Sequence, residues 1–70
     1  MTFAVPINVL NRLPLYSRVV DKETAEDMSG REREAFVVTW YDKGSDRYAY
    51  FDAEDGKYLG EAMGYGVEAQ

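Results

Sequence analysis

Carboxylates are the main reactive groups this chain offers: thirteen of its side chains are acidic, and histidine and cysteine are absent. A carboxylate acts as a general acid or base only when burial or a like-charged neighbour raises its pKa. Glu23 with Asp27, or Asp52 with Glu54, are nominal pairs, but charged side chains ordinarily sit in water and no pair stands above the rest. Ser17, Ser29 and Ser45 have no histidine to activate them, which excludes a Ser-His-Asp arrangement. Lys22, Lys43 and Lys57 lie among acids that keep them charged and poorly nucleophilic. Zinc sites of the usual kind need histidine or cysteine. Placing Gly56 at the sixth position of a calcium loop sets Phe51 first, Ala53 third and Ala62 twelfth, and none of these ligates through its side chain. The glycines near the C-terminus follow no strand–loop–helix pattern, so they imply no phosphate cradle. No catalytic residue, metal or cofactor is expected.

What remains is aromatic. Residues 35–63 hold seven of the ten aromatic side chains, in runs that alternate as paired strands do. Gly44-Ser45 between two such runs predicts a type II′ hairpin turn. That register sets Asp42 against Arg47, Tyr41 against Tyr48, Trp40 against Ala49, Thr39 against Tyr50 and Val38 against Phe51. Phe36, Val38, Trp40, Ala49 and Phe51 then form an apolar face fit for a core. Val37, Thr39, Tyr41, Tyr48, Tyr50 and Asp52 form a second, amphipathic face. Tyrosine buries much area at low entropic cost and keeps a polar tip, so Tyr41, Tyr48, Tyr50, Asp52 and Glu61 are the candidate binding residues.

The next hairpin has two candidate turns. Asp55-Gly56 alone would set Leu59 against Asp52. A turn over residues 53–55 with Gly56 in a bulge sets Asp52 against Lys57, Phe51 against Tyr58 and Tyr50 against Leu59, and is preferred. The stretch Tyr48-Ala-Tyr-Phe-Asp-Ala-Glu-Asp-Gly-Lys-Tyr-Leu resembles the hairpin of PepSY domains, over less than half of the chain. The resemblance implies a hairpin at that place.

Toward the N-terminus, Pro6 suits the first turn of a helix, Val9, Leu10 and Leu13 share a helical face, and Pro14 stops it. Residues 15–20 read as a short strand. Residues 21–30 read as a capped helical turn or a loop ending at Gly30, and residues 31–34 as solvated. The expected fold is α+β: a three-stranded antiparallel meander (about residues 35–42, 46–52 and 57–63) with an N-terminal helix on one face. Residues 15–20 would add a fourth strand, and residues 65–70 would fray. The runner-up is a small SH3-like all-β barrel in which residues 5–20 supply strands.

Seventy residues make a single small domain. Ordering it costs on the order of 100 kcal/mol at about 1.5 kcal/mol per residue, so a second subunit is a reasonable support and a homodimer is expected as readily as a monomer. The net charge is −5, and residues 36–70 carry seven acids against three bases. Without a basic stripe, direct nucleic-acid binding is not expected, nor is adhesion to an anionic membrane. A protein partner, basic in character, fits this field better. No apolar run is long enough to span a bilayer and no secretory signal is evident, so cytoplasmic residence is expected. The expected function is a small acidic, non-enzymatic protein-interaction module: an adaptor, subunit or inhibitor using the aromatic face or a sheet edge. The alternative is an acidic, mobile-element-type inhibitor that mimics nucleic acid to block a basic nucleic-acid-binding protein.

Overall fold

The computed structural model describes residues 3–62. One short helix, α1 (Ile7–Leu10), precedes four strands: β1 (Arg18–Glu26), β2 (Glu32–Asp42), β3 (Ser45–Asp52) and β4 (Tyr58–Glu61). The strands form one open antiparallel sheet in sequential order, with β1 and β4 at its edges. Strands dominate, and the molecule is a small β-rich fold.

The alternating residues sort as their pattern predicts. Phe36 and Val38 of β2, and Ala49 and Phe51 of β3, join Val9 of α1 in the buried cluster; Phe3, Val5, Leu13, Val19, Trp40 and Ala53 pack around it. Phe51 meets Trp40 and Tyr58 edge-on, with centroids 6.1 and 5.6 Å apart, the geometry the ring quadrupoles favour. α1 is held against this face at the β3–β4 turn, where Asn8 Nδ2 donates to the Glu54 carbonyl at 3.0 Å.

The β2–β3 turn differs from expectation. Asp42 faces Ser45, so the two-residue turn is Lys43-Gly44, and both residues have positive φ (49° and 88°), as a type I′ turn requires. Val38 therefore faces Ala49 and Phe36 faces Phe51, while Trp40 faces Arg47. The displacement is an even number of residues, so every side chain keeps its expected face. Matching Phe36 with Phe51 at the centre of the core offsets the left-handed conformation forced on Lys43, which costs about 1–2 kcal/mol. Lys43→Asn is expected to stabilise the protein by about 0.5–1 kcal/mol, read as a higher urea midpoint at unchanged slope.

At the β3–β4 turn the bulged alternative forms. Gly56 N–H donates to the Asp52 carbonyl and Asp52 N–H to the Lys57 carbonyl, both at 2.8 Å, and Phe51 faces Tyr58. Tyr50 faces Gly60 instead of Leu59, which sits in a bulge.

The larger departure lies in residues 15–34. The strand begins at Arg18 and runs to Glu26, so the helical turn or loop expected over residues 21–30 is confined to the four residues after it. A charged edge strand and a solvated loop share the same polar composition, and pairing with β2 decides between them. Asp27 closes the β1–β2 turn: its Oδ1 accepts from Ser29 N–H (2.9 Å), Ser29 Oγ (2.6 Å) and Arg31 N–H (3.1 Å). β2 then starts at Glu32, within the segment read as solvated. α1 is one turn long, with Pro6 as its N-cap and not inside its first turn. The expected fraying of residues 65–70 lies outside the described residues, as does the end of the third meander strand at residue 63.

Candidate functional site

Tyr41, Tyr48, Tyr50 and Asp52 stand together on the face opposite the core cluster, in register with Val37 and Thr39. Glu61 does not join them. It faces Ala49 on the core side, where its Oε1 accepts from Arg47 Nη2 at 3.1 Å.

The inner part of this face is closed by its own side chains. Tyr50 Oη donates to Glu23 Oε1 at 3.2 Å, a bond that runs from β3 to β1 across β2 and over the position of Val37, which is fully buried. Burial, then the charge and hydrogen bond of Glu23, push the Tyr50 pKa up and keep the phenol protonated. Asp52 is 3 % exposed, and its Oδ2 accepts from Arg33 Nη1 at 2.7 Å while its Oδ1 accepts from Glu54 N–H at 2.7 Å. Arg33 Nε also lies 3.2 Å from Asp27 Oδ2, so one guanidinium ties the β1–β2 turn to the β3–β4 turn. Burial alone would raise the Asp52 pKa, but the Glu54 amide, the Arg33 guanidinium and the Asp55 amide outweigh it and hold the carboxyl below its ordinary value. Asp27 is lowered too, first by the Ser29 hydroxyl. Asp52 thus has its acceptor capacity committed inside the fold.

The accessible part of the face is its other end. Tyr41 is 71 % exposed, Tyr48 is half-buried opposite Thr39, and Asp46 is exposed opposite Tyr41. On the other side of β2, Arg18 is exposed and also opposite Thr39. The chain reaches Arg18 through a turn closed by Ser17 N–H donating to the Pro14 carbonyl at 3.1 Å, which carries Leu15 and Tyr16 outward, 80 % and 93 % exposed. Sequence reasoning missed Leu15, Tyr16 and Arg18, because a strand starting at residue 15 absorbs them. The available signal was charge: no acid precedes Asp21, whereas Arg12 and Arg18 bracket the apolar run.

A recess of about 510 Å³ lies between the N-terminal segment and the start of β2, lined in part by Lys22, Arg33, Glu34, Phe36, Asp52 and Glu54. Lys22 Nζ sits 3.6 Å from Glu34 Oε1 and 5.7 Å from the Phe36 ring centroid, and Arg33 is bound to Asp52, so these cations are committed. Among the described residues, no group of three or more acidic side chains could hold a metal ion. Among them too, no helix is long and apolar enough to cross a membrane. No known protein family, curated protein or solved structure matches the chain.

Proposed function

We propose that the protein is a small, acidic, non-enzymatic interaction module that binds a protein partner in the cytoplasm as an adaptor, subunit or inhibitor. The observation that carries this reading is Tyr41, 71 % exposed on the sheet face turned away from the core. A half-buried Tyr48 stands beside it. An aromatic ring held on a rigid strand loses little entropy on docking and keeps a polar tip for a partner. The accompanying fold reading is α+β, with α1 seated on the core face through Val9 and Asn8.

The test compares wild-type and Tyr41→Ala baits in capture from native lysate. The expected result is a partner retained by the wild type and lost from a variant with unchanged circular dichroism. Equal recovery on both baits would remove Tyr41 from the site.

One observation favours the acidic-mimic reading. Glu26 and Glu32 face each other directly across β1 and β2, both exposed, with exposed Glu34 two residues further along β2. Like charges set directly opposite destabilise a sheet, so such a row is compatible with a basic partner that relieves it. Capture that collapses between low and moderate salt, yet survives Tyr41→Ala, supports this second reading.

A further inference from the structure

Three exposed features meet at the end of the sheet that carries Tyr41. The first is apolar: Leu15 and Tyr16 on the turn before β1, and Tyr41 on β2, are the large side chains most open to water there. Arg18 faces Thr39, and Tyr41 is two residues beyond Thr39, so the turn and Tyr41 lie at the same end of the sheet. The second is strain. Tyr16 has φ 62°, a left-handed conformation that a bulky residue rarely adopts, and it is spent on holding an aromatic side chain out in solvent.

The third is charge. Residues 1–20 contain two arginines and no acid, and the remaining fifty carry six bases and thirteen acids. Neither Arg12 nor Arg18 takes part in an ion pair among the described residues. On the exposed face, Arg18 in β1 lies beside Thr39 and Asp46 in β3 beside Tyr41, so charges of opposite sign stand on the two sides of β2, two residues apart along it.

A surface that is positive on one side of a central aromatic and negative on the other is complementary to itself. A two-fold axis lying over β2 between Thr39 and Tyr41, inclined to the strand to take up that two-residue offset, would lay β1 of one copy over β3 of the other. Arg18 would then meet Asp46 twice, and Tyr41 would meet Tyr41. An axis across the strands would instead lay β1 over β1 and β3 over β3, so Arg18 could not meet Asp46. Joining two sheets through the β1 edge gains little: antiparallel self-pairing about Lys22 sets Asp21 against Glu23 twice and Lys22 against itself, which offsets the two Arg18–Glu26 pairs.

We infer that this end of the sheet is the contact surface of a two-fold symmetric homodimer, with Tyr41 at its centre, Arg18–Asp46 pairs on both sides, and the Leu15-Tyr16 turn closing its rim. This rests on the reading of the tyrosine face as a docking surface, and names its occupant as a second copy of the chain. A contact confined to one end of so small a sheet belongs with the smaller interfaces, so a weak dimer is expected.

The test is sedimentation velocity on the full chain from about 1 to 200 µM, a range that brackets a micromolar equilibrium. The expected result is a mass rising from one chain to two. Arg18→Glu is expected to weaken the dimer by about tenfold or more, and the charge swap Arg18→Glu with Asp46→Arg to restore it, because the pair is exchanged and not lost. Recovery in the double variant cannot arise from a folding defect in either single one. A monomer throughout, open-ended polymers, or a dimer indifferent to Arg18→Glu overturns the inference. Those outcomes are distinct from failure of the broader reading, which is decided by whether a different protein is held by the wild-type bait and lost from the Tyr41→Ala bait.

Discussion

Gly56→Ala is expected to lower stability by about 3 kcal/mol, the sum of about 1–2 kcal/mol for a left-handed residue bearing a Cβ and about 1–3 kcal/mol for overpacking. Gly56 is buried with φ 78°. A Cβ there would stand 3.1 Å from Val9 Cα, Val9 O and Arg12 Cβ. Two of those atoms are backbone, so no side-chain rotation relieves the contact and the α1 segment must give by a few tenths of an ångström. α1 supplies Val9 to the core, and the displacement would therefore reach Phe36, Val38 and Phe51. A chain of this length holds about 4–10 kcal/mol in all, so the loss is a large share. The informative control is Gly44→Ala. Gly44 has φ 88° with nothing within 4 Å of a Cβ, and carries the conformational cost alone, about 1–2 kcal/mol. Urea melts of the two variants measure the difference. Equal losses would mean that the approach of Gly56 to the helix contributes nothing.

The same glycine shows how far the fold was legible in the sequence. The sequence places Gly56 in a bulged turn because that turn sets Tyr58 against Phe51, and the structure contains that pair. The reason was side-chain chemistry across two strands, which short-range pattern carries well. The close approach of Gly56 to Val9 was not legible, since it depends on where α1 lands. The β2–β3 turn shows the converse. Gly44-Ser45 and Lys43-Gly44 are both two-residue turns, and preference for glycine first selected the former. The observed choice follows from pairing Phe36 with Phe51, a term summed over the whole ladder and invisible at the turn itself. The faces survived the error because the two registers differ by an even number of residues. β1 was half missed. Asp21, Lys22, Glu23 and Glu26 give it the composition of a loop, and only pairing with β2 makes it a strand.

The candidate site divides along similar lines. The alternation that built the core face also placed Tyr41, Tyr48, Tyr50 and Asp52 together, so their common face was readable. Their individual states were not. Tyr50 bonds to Glu23, twenty-seven residues away, and Asp52 to Arg33, nineteen away, through parts of β1 and β2 that read in the sequence as loop and solvated chain. Of the four, Tyr41 stays most open. Glu61 falls on the opposite face, because the bulge at Leu59 sets it against Ala49. The additions, Arg18 and the Leu15-Tyr16 turn, come from a segment whose one sequence signal is that it lacks acids.

Asp52→Ala is the substitution that separates docking from architecture. The carboxylate is buried and holds both Arg33 and the Glu54 amide, so its removal is expected to cost stability even if nothing ever binds this face. Breaking a fully buried pair costs about 3–5 kcal/mol; Arg33 keeps 34 % of its side chain in water, so a loss of about 2 kcal/mol at neutral pH is expected. The pH dependence supplies a second check. Asp52 is held below its ordinary value of 3.8 in the fold, so near that pH the folded chain binds fewer protons than the unfolded one. Its contribution is therefore complete above that value and is lost as pH falls through the lowered folded pKa. The gap between wild type and Asp52→Ala should stay constant through neutral pH and narrow below 3.8. Asp27, shifted the same way, adds to the acid sensitivity of both proteins and leaves the gap unaffected to first order. Urea melts at neutral pH and in acid measure it. A variant as stable as the wild type, with a gap flat in pH, would show that the Arg33–Asp52 pair contributes nothing to folding. Any loss of binding in that variant would then return Asp52 to the docking surface beside Tyr41.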